Sequence, residues 1–376
     1  MERQLLEGAR ASSPADVAHR LVGVQAQVTS SAALAIALRL DDPMGVAATN
    51  RAMLERGLVR SWAMRGTLHL FAANDVPTIA AALTDRNSWR RPAWLRWFGV
   101  TEPEMDELID AIGDVLDDGR PRTRAEIGEE IATRLDAKRG KLLLGSWGST
   151  LKVASDRHFL VQSAEESTGV RFVRASRWIE AWRDEDPATA LATLVERYLA
   201  AYGPATFREI LRWWGVTTVA TMKPIITALG ERLTEVEVDG VRALVRTADV
   251  DAIAATRPEA GQVRLVGGFD PLIVGAGLRE QLLPPKHLKR ISRTAGWISP
   301  VVLLDGRAAG VWDSRRRGER LEITVEPFGR ISAAMRAAIT KAAADVAAAQ
   351  GASAVVDYGP VFTEKGSPLV ITPAQA

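Results

Sequence analysis

The chain has 376 residues, 47% of them hydrophobic and 25% charged, with a net charge of +2. That length favours two to four compact units, and the balance is that of a soluble globular protein. The absence of cysteine excludes a disulfide, a thiolate nucleophile and a Cys-ligated zinc.

The four histidines, His19, His69, His158 and His287, are never four apart, so no metal site is expected and no cofactor either. Neither a phosphate-binding Gly-x-x-x-x-Gly-Lys-Ser/Thr loop nor a Gly-x-Ser-x-Gly elbow is present. No apolar run approaches the roughly 20 residues that span a bilayer. Residues 1–7 carry acids and lack a signal-peptide core. A cytoplasmic protein with no membrane partner is expected.

In chain order, Ser13-Pro14 opens a helix, a cap residue followed by proline at the first helical position. Val17, Leu21, Val24 and Val28 form its apolar stripe, and Gln25-Ala26-Gln27 falls near its end. Thr29-Ser30-Ser31 is placed to cap a second helix carrying Leu34, Ile36 and Leu38. Residues 58–64 and 67–71 read as strands flanking the tight turn Arg65-Gly66. The run 86–97 interleaves Arg86, Arg90, Arg91 and Arg96 with Trp89, Trp94 and Trp97. It suits either stacking on nucleic acid or a helix packed through its tryptophans.

Residues 102–118 hold eight acids and no base, the pattern of a solvated helix face. Two segments, residues 123–127 and 206–210, share Thr-x-x-Glu before an apolar residue, a capping box. Each is followed by two alternating runs. The first pair is 158–162 and 170–174; the second is 233–238 and 241–245, joined by Asp239-Gly240, a strong hairpin signal. Helices leading into a two-stranded wing describe a winged helix-turn-helix. From 262 onward the texture is β, with candidate strands at 263–266, 272–274, 297–304, 308–312 and 321–325. An Ala-rich helix at 331–349 and a last strand at 354–357 follow. The expected fold is therefore α+β. Three tandem winged helix-turn-helix units, at 1–100, 101–180 and 181–257, pack around a small β-barrel or half-barrel formed by 258–376.

Charge is concentrated late. Residues 279–320 hold ten Lys or Arg against four acids, an excess suited to a polyanion; an ordinary basic surface is the alternative. Arg279, Lys286, Lys289, Arg290 and Arg293 form one candidate phosphate-binding group, and Arg315, Arg316 and Arg317 a second.

The Gln25-x-Gln27 pattern, residues 65–70 (Arg-Gly-Thr-Leu-His-Leu), residues 269–275 (Phe-Asp-Pro-Leu-Ile-Val-Gly), and residues 301–307 followed by 310–312 occur together and in this order. The chain thereby resembles the winged-helix DNA glycosylase family typified by AlkZ and YcaQ over nearly its whole length. That resemblance implies excision of alkylated bases, including crosslinked ones, with catalysis carried by a Gln-Φ-Gln motif in which Φ is aliphatic. The YcaQ branch has Asp in the last place. This chain has the Gln form, with the small Ala26 at the Φ position.

In an ideal helix, residues two apart point roughly 160–200° from one another, so Gln25 and Gln27 could not address one substrate from there. In extended backbone they share a side. Residues 25–27 are therefore expected to be non-helical, with Ala26 turned inward. Glutamine does not titrate usefully and cannot be a general base. It can orient a water, and fixed dipoles suffice for a cationic alkylpurine that is already a good leaving group. Arg65, Thr67 and His69 are candidates for the substrate pocket. Arg65 contacts backbone or is simply solvated, and His69 contacts substrate or simply hydrogen-bonds within its hairpin. The expected function is monofunctional glycosylase action on double-stranded DNA carrying alkylated bases, by a monomer that is nucleoid-associated when bound. The alternative reading is a non-catalytic winged-helix regulator, which would bind DNA without releasing a base.

Overall fold

The computed structural model describes residues 1–42, 45–84, 88–145, 149–163, 169–215, 217–257 and 259–361. Arg86 and the polar turn at 164–168 lie outside these residues. Contacts divide the chain into two compact units, Met1–Thr256 with Pro271–Leu278, and Arg257–Asp270 with Arg279–Ala376. The fold is α+β.

In the first unit, helix Pro14–Arg20 is capped by Ser13, whose hydroxyl accepts from the Asp16 N–H at 3.1 Å. The helix stops short of the glutamines because Val22 and Gly23 both take positive φ. Strand β1 (Val24–Gln25) follows directly. Helix Thr29–Ala37 begins one residue earlier than the Thr-Ser-Ser cluster suggests. Val28 holds the cap position without a side-chain bond, so Thr29 is inside the helix rather than capping it.

Strands β2 (Leu58–Trp62) and β3 (Leu68–Ala72) form the first hairpin. β4 (Arg122–Thr123), β5 (Leu160–Ser163) and β6 (Arg171–Arg174) come from the next stretch. These strands join in one sheet. β2 pairs with β5, with Arg60 opposite Gln162 and Ser61 opposite Val161, and the result is one six-stranded sheet in the order β1-β3-β2-β5-β6-β4. Among the described residues, β7 (Leu233–Val238) and β8 (Val241–Arg246) stand as a separate two-stranded sheet, turned by Asp239-Gly240 with both φ positive.

The expected capping boxes are present. Thr123 and Glu126 open helix Arg124–Arg134, and Thr206 and Glu209 open helix Phe207–Trp214, each with the reciprocal pair of bonds. Arg90, on the Arg/Trp run, is tied to Glu102 and Asp106, whereas Trp97 is exposed. One apolar cluster draws on Val59, Phe71, Val161, Val173, Leu194, Tyr198 and Trp213, so hairpins and helices far apart in sequence share a core.

The second unit is a half-barrel. β9 (Val263–Val266), β10 (Val301–Leu304), β11 (Arg307–Arg317), β12 (Arg320–Pro327) and β13 (Ser353–Tyr358) run in the order β13-β12-β11-β10-β9. The two outer strands leave it open. Asp305-Gly306 makes the β10–β11 turn with both φ positive, and helix Ala333–Ala348 precedes the parallel β12–β13 pairing. Residues 272–274 are not a strand. They lie in helix Pro271–Gly275 within the first unit, because Pro271 starts a helical turn and a short apolar run does not by itself distinguish helix from strand.

Candidate active site

The Gln25-Ala26-Gln27 segment is extended. Val24 faces Leu70 and Gln25 faces His69 across the β1–β3 ladder, and the Ala26 N–H donates to the Leu68 carbonyl at 2.7 Å. Alternation then sorts the side chains. Val24 and Ala26 are fully buried in a cluster with Val17, Leu21 and Leu70, while Gln25 and Gln27 take the other face. Gly23 is required at the entry to this strand, because its φ is +89° and a Cβ would lie 2.3 Å from the Phe71 ring.

The two glutamines are presented differently. Gln25 is 9% exposed, and its Oε1 accepts from Arg65 Nη2 at 2.9 Å. Gln27 is exposed, and its Oε1 accepts from the Leu68 N–H at 3.3 Å. Among the described residues each carbonyl has this one partner and neither amide donates, so a second lone pair and both N–H groups face no described partner.

Arg65 organises the pocket from the turn between β2 and β3, where its own φ is +55°. Nη1 donates to the Trp213 carbonyl at 3.0 Å, and Nη2 lies 3.4 Å from His69 Nε2 as well as on Gln25. An arginine can only donate, so His69 Nε2 must present its lone pair. The ring proton then sits on Nδ1 and is donated to the Thr67 carbonyl at 2.9 Å. Burial pulls the Arg65 guanidinium down to about 10, which still leaves it cationic at neutral pH. Gly215 makes room for this turn: its φ is +92°, and a Cβ there would fall 2.5 Å from the Arg65 backbone.

The pocket is lined by Gln25, Arg65, His69, Tyr202, Trp213 and the Pro271–Gly275 helix, with Gly23 and Met64 beneath. Its cavity volume is about 10 Å³, the space of about one water molecule. No carboxylate is among these residues. Tyr198, Tyr202 and Trp213 stack at 5.1 and 4.5 Å behind it. The Tyr202 hydroxyl donates to the Leu21 carbonyl and that of Tyr198 to the Gly275 carbonyl, each at 3.0 Å; burial raises the Tyr198 pKa. Among the described residues no three His, Asp or Glu converge as metal ligands.

The structure thus brings Gln25, Arg65 and His69 together. Thr67 is at the same turn, but its hydroxyl donates to the Met64 carbonyl at 3.2 Å. Not foreseen from the sequence were Trp213 and Tyr202, which line the pocket, and Gly215, which packs against the Arg65 backbone. Residues 269–275 entered as a matching motif, with 272–274 expected to be a strand rather than pocket lining. Also not foreseen was Arg60, whose Nε and Nη2 donate to the Ala26 carbonyl at 3.2 and 2.9 Å.

The basic candidates all lie in the second unit. Lys286, Lys289, Arg315, Arg316 and Arg317 are exposed. Arg316 donates to the carbonyls of Gly318, Gln350 and Gly351, and Arg317 reaches Glu322 at 3.4 Å. Arg279, Arg290 and Arg293 are partly buried. Arg290 is paired with Glu326 and the Val361 carbonyl, and Arg279 donates to Ser292 Oγ at 2.8 Å.

The comparisons with known proteins agree with one another. A family profile described as DNA glycosylase AlkZ-like matches residues 18–349. A protein of Streptomyces sahachiroi named interstrand DNA cross-link repair glycosylase is 38% identical over 365 residues, 94% of this chain and 95% of that one. The solved structure of Streptomyces sahachiroi DNA glycosylase AlkZ is similar with a TM-score of 0.88 at 36% identity, covering 96% of this chain and 97% of that chain.

Proposed function

Because the chain belongs to the AlkZ-like DNA glycosylase family, we propose that it hydrolyses the N-glycosidic bond of cationic N7- or N3-alkylated purines in double-stranded DNA. Crosslinked adducts, named for its Streptomyces relative, are included. Gln25 and Gln27 position the attacking water. The carrying observation is the Gln25 carboxamide, clamped by Arg65 beside His69 on an extended strand, in a pocket with no carboxylate among its described lining residues.

Arg65 fixes the Gln25 carbonyl through one lone pair, leaving the other to accept a hydrogen bond from water and aim the water oxygen at C1′. As the C1′–N bond breaks, its electron pair goes to the purine, whose positive charge is thereby cancelled. The water oxygen bonds C1′, and its proton leaves to solvent. The leaving group needs no protonation, so preorganised dipoles carry the remaining work. A cavity of about 10 Å³ has room for about one water beside Gln25, and in this reading the lesion stays in the duplex rather than being extruded as in most glycosylases. The bases Arg279, Lys286, Lys289, Arg290, Arg293, Arg315, Arg316 and Arg317 supply phosphate contacts in this reading.

The test is incubation with duplexes carrying 7-methylguanine, 3-methyladenine or a purine crosslink. Alkali-labile abasic sites are expected, with no strand break before alkali. Failure to release any of these bases would overturn the proposal.

Two further results are expected. Single-turnover rates should be flat from about pH 6 to about pH 9 and unchanged by EDTA. Among the described residues no carboxylate lines the pocket, and Arg65, protonated below about 10, loses its charge only above that window. A steep acidic limb or loss in chelator contradicts the mechanism. Separately, Arg315→Ala/Arg316→Ala/Arg317→Ala should make the dependence of log K on log salt shallower by roughly two to three units, at about 0.9 per lost phosphate contact. An unchanged slope removes that strand from the DNA interface.

A further inference from the structure

Strand β1 is two residues long and lies at the edge of its sheet, paired with β3 at Val24 and Gln25. Such a short edge element has little of its own to keep it in register. Its continuation at Ala26 is nevertheless held at both ends of the residue. The Ala26 N–H is on the Leu68 carbonyl at 2.7 Å, and its carbonyl accepts both Nε and Nη2 of Arg60 at 3.2 and 2.9 Å. The remaining arm of the same guanidinium, Nη1, donates to Gln162 Oε1 at 2.9 Å. Arg60 is on β2, and Gln162 faces it from β5 in the pairing that fuses the two hairpins. Neither residue lines the pocket.

A planar guanidinium that puts two donors on one carbonyl fixes both the height and the tilt of that peptide, which a lysine could not do. The peptide it fixes is the one between the two carboxamides. We infer that Arg60 is a positioning residue for base release, setting the Gln25-Ala26-Gln27 backbone, and that Gln162 of the neighbouring hairpin acts through Arg60. The inference rests on the reading that Gln25 and Gln27 direct the water. It makes the β2–β5 junction part of the catalytic apparatus, since an ångström of drift in that peptide misplaces both amides and can cost about 10²-fold in rate.

The test uses Arg60→Met, which keeps the stem and removes the donors, Gln162→Leu, and the double variant in the full-length chain. The readouts are single-turnover release of 7-methylguanine, duplex binding, and amide hydrogen exchange over residues 22–30. Arg60→Met should slow release at least about tenfold with Kd unchanged within about twofold. Gln162→Leu should slow it less, about threefold, and the double variant should be no slower than Arg60→Met alone. Exchange should quicken over 22–30 and stay unchanged in helix Ala333–Ala348. An unchanged rate, losses that multiply in the double variant, or exchange that rises throughout the chain would overturn the assignment. If the unmodified protein releases no base, the glycosylase mechanism falls, and exchange alone decides the lock: a rise confined to 22–30 upholds it and no rise removes it.

Discussion

Gln25→Ala is expected to reduce single-turnover base release by about 10²–10³-fold, comparable to losing one preorganised donor at a developing charge (about 2.7–4 kcal/mol). Duplex binding and thermal unfolding should change little. The side chain is 9% exposed, and its recorded hydrogen bond is to Arg65. Its removal leaves Arg65 Nη1 on the Trp213 carbonyl and frees Nη2 for water or for His69. The loss therefore falls on orientation in the transition state and not on the fold. A rate within about threefold of the unmodified protein would show that Gln25 is a structural partner of Arg65 and nothing more.

Gly215→Ala should damage stability and activity together. Gly215 has φ +92°, and an added Cβ would meet the Arg65 Cα and N at 2.5 Å, backbone atoms that cannot swing aside. Left-handed strain costs about 1–2 kcal/mol and overpacking a further 1–3 kcal/mol, so a loss of about 3 kcal/mol or more in urea unfolding is expected. Because the displaced backbone carries the guanidinium that holds Gln25, the folded fraction should also release base at least about tenfold more slowly. A variant as stable as the parent would mean that the two turns do not meet.

Much of the site was legible because its signals are local. Two glutamines separated by one small residue have meaning only on extended backbone, and Ala26 does turn inward while Gln25 takes the opposite face. The Asp239-Gly240 and Asp305-Gly306 turns and the Thr-x-x-Glu helix starts are equally local, since each binds its own neighbours. What was not legible depends on distant partners. Nothing near Arg60 in sequence announces Gln162, so an arginine on a strand reads as a solvated charge until β2 meets β5. Trp213 belongs to the pocket because Arg65, 148 residues earlier in the chain, bonds its carbonyl, and Gly215 matters because the same turn packs on it. Residues 272–274 misread as a strand because three apolar residues have no period to measure, and the decisive proline stands outside the run. Thr29 looks like a cap by residue type, yet the strand before it hands the cap position to Val28.

If two neutral amides do here what carboxylates do elsewhere, removing both must abolish base release without loosening the protein's hold on the duplex. Single-turnover release of 7-methylguanine from duplex DNA is measured for the unmodified protein and for Gln25→Ala/Gln27→Ala, alongside duplex affinity. The expected result is a fall of about 10³-fold or more in the rate with affinity within about twofold. Release at the unmodified rate by the double variant would place the chemistry elsewhere in the molecule.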